Sequence, residues 1–145
     1  MGFNMKKLIF IACILAYSKA IFSQSESIQG TYQLEHKGSN ADLKRTLILN
    51  ADGTFLFHNY ENHDGGIPPE KNSFGKGTWT SENKVIYFYN SSSDIDQKHT
   101  LNFNNSKARF NSKSPRDKSN RAVITSIRFF ESDIFWIKGM TLIKK

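Results

Sequence analysis

The stretch Leu47-Ile48-Leu49-Asn50-Ala51-Asp52-Gly53-Thr54-Phe55-Leu56-Phe57 sets two apolar, strand-forming runs on either side of a turn that ends in Asp-Gly. Glycine takes a positive φ at no steric cost and aspartate tolerates it, so the chain is expected to reverse here. Residues 47–50 then pair with 54–57 as an antiparallel β-hairpin.

Outward from this hairpin the same theme recurs. Residues 30–36 alternate Tyr32 and Leu34 with polar neighbours, the period of a half-buried strand. Residues 61–69 hold two glycines and two prolines, which remove side chains and ladder donors, and are expected to form an exposed loop. Strands are expected at 74–80, where Gly75 and Gly77 permit a bend, and at 85–89, the most strand-like run of the chain. Aromatic residues fall on both faces of that second run, so at least one should reach the outside. Further strands are expected around 97–103, at 107–110 and at 122–130, with short arms at 134–138 and 140–144.

No segment beyond the N-terminus repeats apolar residues at i, i+3, i+4 and i+7 over ten or more positions, so helix is at most a minor component. The reading is all-β: eight to ten strands at hairpin spacing. Short sequential turns favour an antiparallel up-and-down β-barrel of about eight strands over a sandwich.

At 145 residues the chain has room for one such domain. Ahead of it lie Lys6 and Lys7, an apolar run over residues 8–17, and small residues at Ser18, Ala20 and Ser23, the three-part layout of a secretory signal. The apolar run is about half the ~20 residues that a membrane-spanning helix needs. The expected division is therefore a signal peptide over 1–23 and a barrel domain over 24–145, with cleavage after Ala20 as the rival, and an exported, periplasmic or extracellular location. The single cysteine, Cys13, follows an apolar run too short for a lipoprotein signal, and once removed it leaves no thiol for a disulfide, a metal site or a nucleophile.

Without Lys6, Lys7 and Lys19, 17 basic residues face 13 acidic ones, a net of +4. The excess is local. Residues 107–121 carry six basic side chains and one acid, a net of +5, and the remainder sums to about −1. That distribution argues against a protein that coats nucleic acid and for one cationic loop.

The chain resembles bacterial lipocalin-like proteins. The likeness rests on Gly30-Thr31-Tyr32, where the wider family has Gly-x-Trp, on Leu47-x-Leu49-Asn50-x-Asp52-Gly53-Thr54-Phe55, on Gly77-Thr78-Trp79, and on the closing Gly139-Met140-Thr141-Leu142. Two departures stand out: Tyr32 replaces the usual tryptophan, and no C-terminal helix follows. The resemblance implies an eight-stranded barrel with an apolar interior that holds one small hydrophobic molecule.

On that reading Tyr32, Phe57, Trp79, Tyr87, Phe103 and Phe129, with Phe55 and Trp136, are the candidate walls of a ligand cavity. The competing reading is that these rings simply fill a barrel just wide enough for side chains. Arg116, Lys118 and Arg121 are the candidate contacts for an anionic lipid or glycan near the mouth. His58, Glu61, His63 and Asp64 cluster in sequence, but their spacing matches no standard zinc pattern and no metal is assigned. No cofactor is assigned either. There is no nucleophile elbow, phosphate loop or HExxH motif. The expected function is non-enzymatic binding of a small apolar or amphipathic molecule. The alternative is a packed barrel that meets a protein or an anionic glycan through its loops, and a hydrolase with paired carboxylates ranks third.

Overall fold

The hairpin at 47–57 forms for the reason its turn residues imply. Gly53 sits at φ +86°, and the Asp52 carboxylate accepts the Thr54 amide at 2.9 Å and the Thr54 hydroxyl at 2.6 Å. The Asn50 amide closes the turn on the Thr54 carbonyl at 2.9 Å. Leu47 and Leu49 pair with Phe57 and Phe55, and because successive side chains alternate, all four point to the same face, where they are buried.

In the computed structural model, which describes residues 27–145, this hairpin joins β2 (Ala41–Leu49) to β3 (Thr54–His63). The other strands are β1 (Gly30–Lys37), β4 (Glu70–Glu82), β5 (Val85–Tyr89), β6 (Lys107–Asn111), β7 (Ser126–Glu131) and β8 (Thr141–Lys144). Each lies antiparallel beside the next, and β8 pairs back onto β1 through Tyr32 with Lys144 and Gln33 with Ile143. The protein is a closed, eight-stranded, up-and-down β-barrel, a build compatible with the lipocalin-like resemblance. The expected signal peptide and Cys13 lie outside the described residues. Among the described residues no helix is long and apolar enough to cross a membrane.

Alternation of connections gives the barrel two unlike ends. At the lower end lie the β2–β3 turn, the two-residue β4–β5 turn and residues 112–125 between β6 and β7. Asn83 and Lys84, at φ +51° and +64°, make that second turn as a primed type, so β4 runs through Ser81 and Glu82, beyond the expected end at residue 80. At the upper end lie the β1–β2 and β3–β4 turns and two longer connections, 90–106 and 132–140.

Those longer connections depart from the expected strands. Residues 97–103 form no strand; they touch the sheet through one parallel bridge, Phe74 with His99. Side-chain amides replace the ladder. The Asn104 carboxamide oxygen accepts the Asn90 amide at 2.8 Å and its nitrogen donates to the Asn90 carbonyl at 3.2 Å. The Asn90 side chain accepts the Phe103 amide at 2.5 Å and donates to the Lys76 carbonyl. These bonds pin the connection across the upper end and drive Phe103 into the barrel. Residues 122–125 likewise stay outside β7, and the expected arm at 134–138 is a series of turns that folds Ile137 inward.

Phe103 is fully buried at the hub of the aromatic core. Its ring centroid lies 5.1 Å from that of Phe57, 5.2 Å from Phe55, 5.9 Å from Phe88 and 6.3 Å from Phe129. The ring finds room because the β4 position that faces it, Gly75, has no side chain. A methyl group on Gly75 would stand 2.6 Å from the Phe103 ring, and one on Gly77 would stand 2.1 Å from the Tyr89 carbonyl oxygen and 2.9 Å from the Phe55 ring. These glycines therefore have a packing role as well as the freedom to bend expected of them.

Overpacking a filled core costs about 1–3 kcal/mol and sometimes more. Gly75→Ala is expected to lower the urea-unfolding free energy by about that amount, and Gly77→Ala, blocked by backbone, by more. Exposed Thr78→Ala should stay within about 0.5 kcal/mol of wild type. An unchanged midpoint for Gly75→Ala would show that the ring has space to retreat.

Candidate functional site

The residues expected to line a cavity are distributed by strand parity and by the two connections. Tyr32, Phe57, Phe103 and Phe129 are fully buried and packed in one cluster with Phe55 and Phe88. They fill the barrel axis. Trp79 is half-buried at the lower end, where its indole N–H donates to the Asn50 carbonyl at 3.1 Å. Tyr87 points outward from β5, with the Lys107 ammonium 6.0 Å from its ring centroid, so it is a wall residue of the exterior. Among the described residues no buried side-chain nitrogen or oxygen lacks a hydrogen-bond partner, so the interior presents no idle polar group to orient a guest.

The upper mouth is occupied by a polar chain that runs across β2 and β3. Arg45 Nε donates to Asn59 Oδ1 at 3.0 Å, Asn59 Nδ2 donates to Glu61 Oε1 at 3.1 Å, and His63 lies 3.4 Å from Glu61 Oε2. The Arg45 guanidinium sits 4.5 Å over the Trp136 ring and reaches Met140 Sδ at 3.4 Å. Partial burial pulls Arg45 down from its ordinary value, with Glu61 opposing. The Asn59 amide, aided by His63 and Arg45, holds the Glu61 carboxylate below its usual range. Trp136 in turn covers Phe57, with ring centroids 6.2 Å apart.

The basic loop lies at the opposite end from this mouth, on the connection between β6 and β7. It does not act as a single cationic surface. Arg121 pairs with Asp117 at 3.3 Å, and Lys113 donates to the Ser119 carbonyl at 2.6 Å, while Arg116 and Lys118 extend into solvent. The Ser119 hydroxyl and amide, with Arg121, hold Asp117 below its ordinary value.

Compared with family models, curated proteins and solved structures, the chain matches none.

Candidate sites therefore follow from geometry; besides a groove of about 240 Å³ beside Glu35, Lys44 and Tyr60, two more open on the outer walls. The first, about 250 Å³, lies across β2–β4 and is bordered by Ile48, Leu56, His58, Phe74, Lys98 and His99. His58 stacks on Phe74 with centroids 4.5 Å apart and an interplanar angle of 2°, and His58 meets the Asn72 carboxamide oxygen at 2.7 Å. The second, about 350 Å³, lies across β6–β8 between Arg109, Arg128, Phe130 and Thr141. Sequence reading missed both, because each depends on which strands become neighbours. The His58, Glu61, His63, Asp64 cluster is divided: His58 faces out, whereas Glu61 and His63 belong to the mouth. Among the described residues no group of three His, Cys, Asp or Glu side chains is placed to hold a metal ion.

The first groove borders the pinned connection, where Asp96 gathers four donors. Its carboxylate accepts the His99 amide at 2.7 Å, the Lys98 amide at 2.9 Å and the His99 ring at 3.0 Å, and Lys76 lies 3.3 Å away. The His99 bonds, then those of Lys98 and Lys76, hold Asp96 far below the carboxylate range. A depressed folded-state pKa gives stability that is present above the unfolded value, near 4, and is lost as pH falls through the folded value. The melting temperature of wild type is thus expected to fall more between pH 5 and pH 2 than that of Asp96→Asn. Parallel curves for the two proteins would remove Asp96 as an anchor of the connection.

Proposed function

We propose that the protein is an exported, non-enzymatic binding protein of lipocalin-like build that meets an anionic partner on its exterior. The observation that carries this reading is Phe103. A lipocalin-type guest occupies the barrel axis, and here that volume is taken by a ring delivered from the 90–106 connection and packed against four others. Expelling it would leave a hole that costs about 3–5 kcal/mol, judged by Phe→Ala changes in cores, before any ligand contact forms. The alternative of a packed barrel with external contacts is thereby favoured over the small apolar ligand expected from the resemblance.

Two further features support the reading. Lys6, Lys7 and the apolar run behind them fit export. The carboxylates with displaced pKa, namely Asp52, Glu61, Asp96 and Asp117, are all held ionised by local hydrogen bonds. General acid work at neutral pH needs the reverse, a carboxyl raised toward 7.

Native mass spectrometry of protein purified from its own host tests the proposal. The expected spectrum is the bare processed chain. A retained lipid or other apolar adduct, lost on Phe103→Trp, would overturn it in favour of an internal ligand.

A further inference from the structure

Arg109 and Arg128 are direct cross-strand partners between β6 and β7, and both side chains leave the outer face. Partners of this kind hold their Cβ atoms about 5 Å apart, and like charges so placed destabilise a sheet. No carboxylate relieves them. The adjacent carboxylate, Glu131, is engaged by Lys107 at 3.1 Å, and among the described residues no acid lies within ion-pair distance of either arginine. The Arg109 guanidinium lies 5.7 Å from the Phe130 ring centroid, and that ring is 40% exposed. Around the pair runs the open groove of about 350 Å³, lined also by Asn111, Ser126 and Thr141.

We infer that this groove is a binding site for an acidic sugar unit, sulfated or carboxylated, of an anionic glycan; the inference rests on the exterior-binding reading above and names its site. Two planar guanidinium forks bracket one oxyanion and donate to it bidentately, which turns the unfavourable Arg–Arg pairing into the driving contact. The exposed face of Phe130 offers a floor for the C–H face of a pyranose ring. Ser126, Thr141 and Asn111 supply hydroxyl and amide groups matched to sugar hydroxyls. The volume sits at the small end of ligand pockets, about 300–1,000 Å³, which suits one or two sugar units. A membrane surface is a poorer match, since anionic lipid is met by clusters of about four to eight cations, and Glu131 stands beside this pair.

Isothermal titration at low salt with a heparin-derived tetrasaccharide, and separately with inorganic sulfate, tests the site. Arg109→Gln and Arg128→Gln are each expected to weaken tetrasaccharide binding about tenfold, and Phe130→Ala to weaken it while leaving the weaker sulfate binding unchanged. Arg128→Gln should melt at or above the wild-type temperature, because it relieves the cross-strand repulsion; a merely structural arginine would melt lower. The triple change Arg116→Ser, Lys118→Ser and Arg121→Ser should alter affinity less than twofold. Loss of binding in the triple variant but not in Arg128→Gln overturns this site and leaves exterior anion binding standing on the basic loop. Equal affinity for sulfate and tetrasaccharide, an adventitious ion only, overturns the sugar. No binding of either probe by wild type overturns the site altogether, whereas the packed interior is judged independently by the absence of an apolar adduct.

Discussion

One aromatic ring laid against bare backbone governs this structure. Phe103 can reach the barrel axis because Gly75 offers no side chain where β4 faces it, and four phenylalanines close round the ring once it is there. The placement depends on a connection with little ladder pairing. Asn90 and Asn104 supply by side-chain amide what the sheet would have supplied by main chain, so the segment crosses the end of the barrel without orphaned polar groups. With its axis filled and its upper mouth crossed by Arg45, Asn59 and Trp136, the barrel has its open grooves on the outer walls.

The proposed recognition on the exterior gives the surface charges unequal weight. Exposed ion pairs such as Arg121 with Asp117 contribute little to stability and also leave little free charge for a partner. Two arginines set side by side by strand register are different, because their pairing is unfavourable and the proposed oxyanion would relieve it. β6, β7 and β8 are paired strands where the 112–125 connection has no regular structure, so the site proposed on them would hold its forks in place before a ligand binds.

The sequence disclosed the parts of the fold that local chemistry decides. Asp52-Gly53 forced a turn, and the alternation on either side then set the register of Leu47 and Leu49 against Phe57 and Phe55. Residues 97–103 misled because Leu101 and Phe103 alternate as in a strand, and nothing local reveals that Asn90, more than ten positions away, will capture the Phe103 amide. Gly75 and Gly77 were visible but ambiguous, since a bend and a gap for a distant ring look alike in one dimension. The local charge excess at 107–121 was legible as well. What could not be read was the pairing of Arg109 with Arg128, 19 positions on, which exists only once β6 and β7 lie side by side. The outward turn of Tyr87 followed from the expectation that β5 shows aromatics on both faces, yet parity alone did not say which one.

The central claim is that the chain's own rings occupy the space where a lipocalin-type guest would sit. Crystals pressurised with xenon measure this directly, because the gas enters dry apolar voids and scatters strongly. The account predicts no xenon atom within the ring of Phe55, Phe57, Phe88, Phe103 and Phe129. A well-occupied xenon site at that position would contradict it.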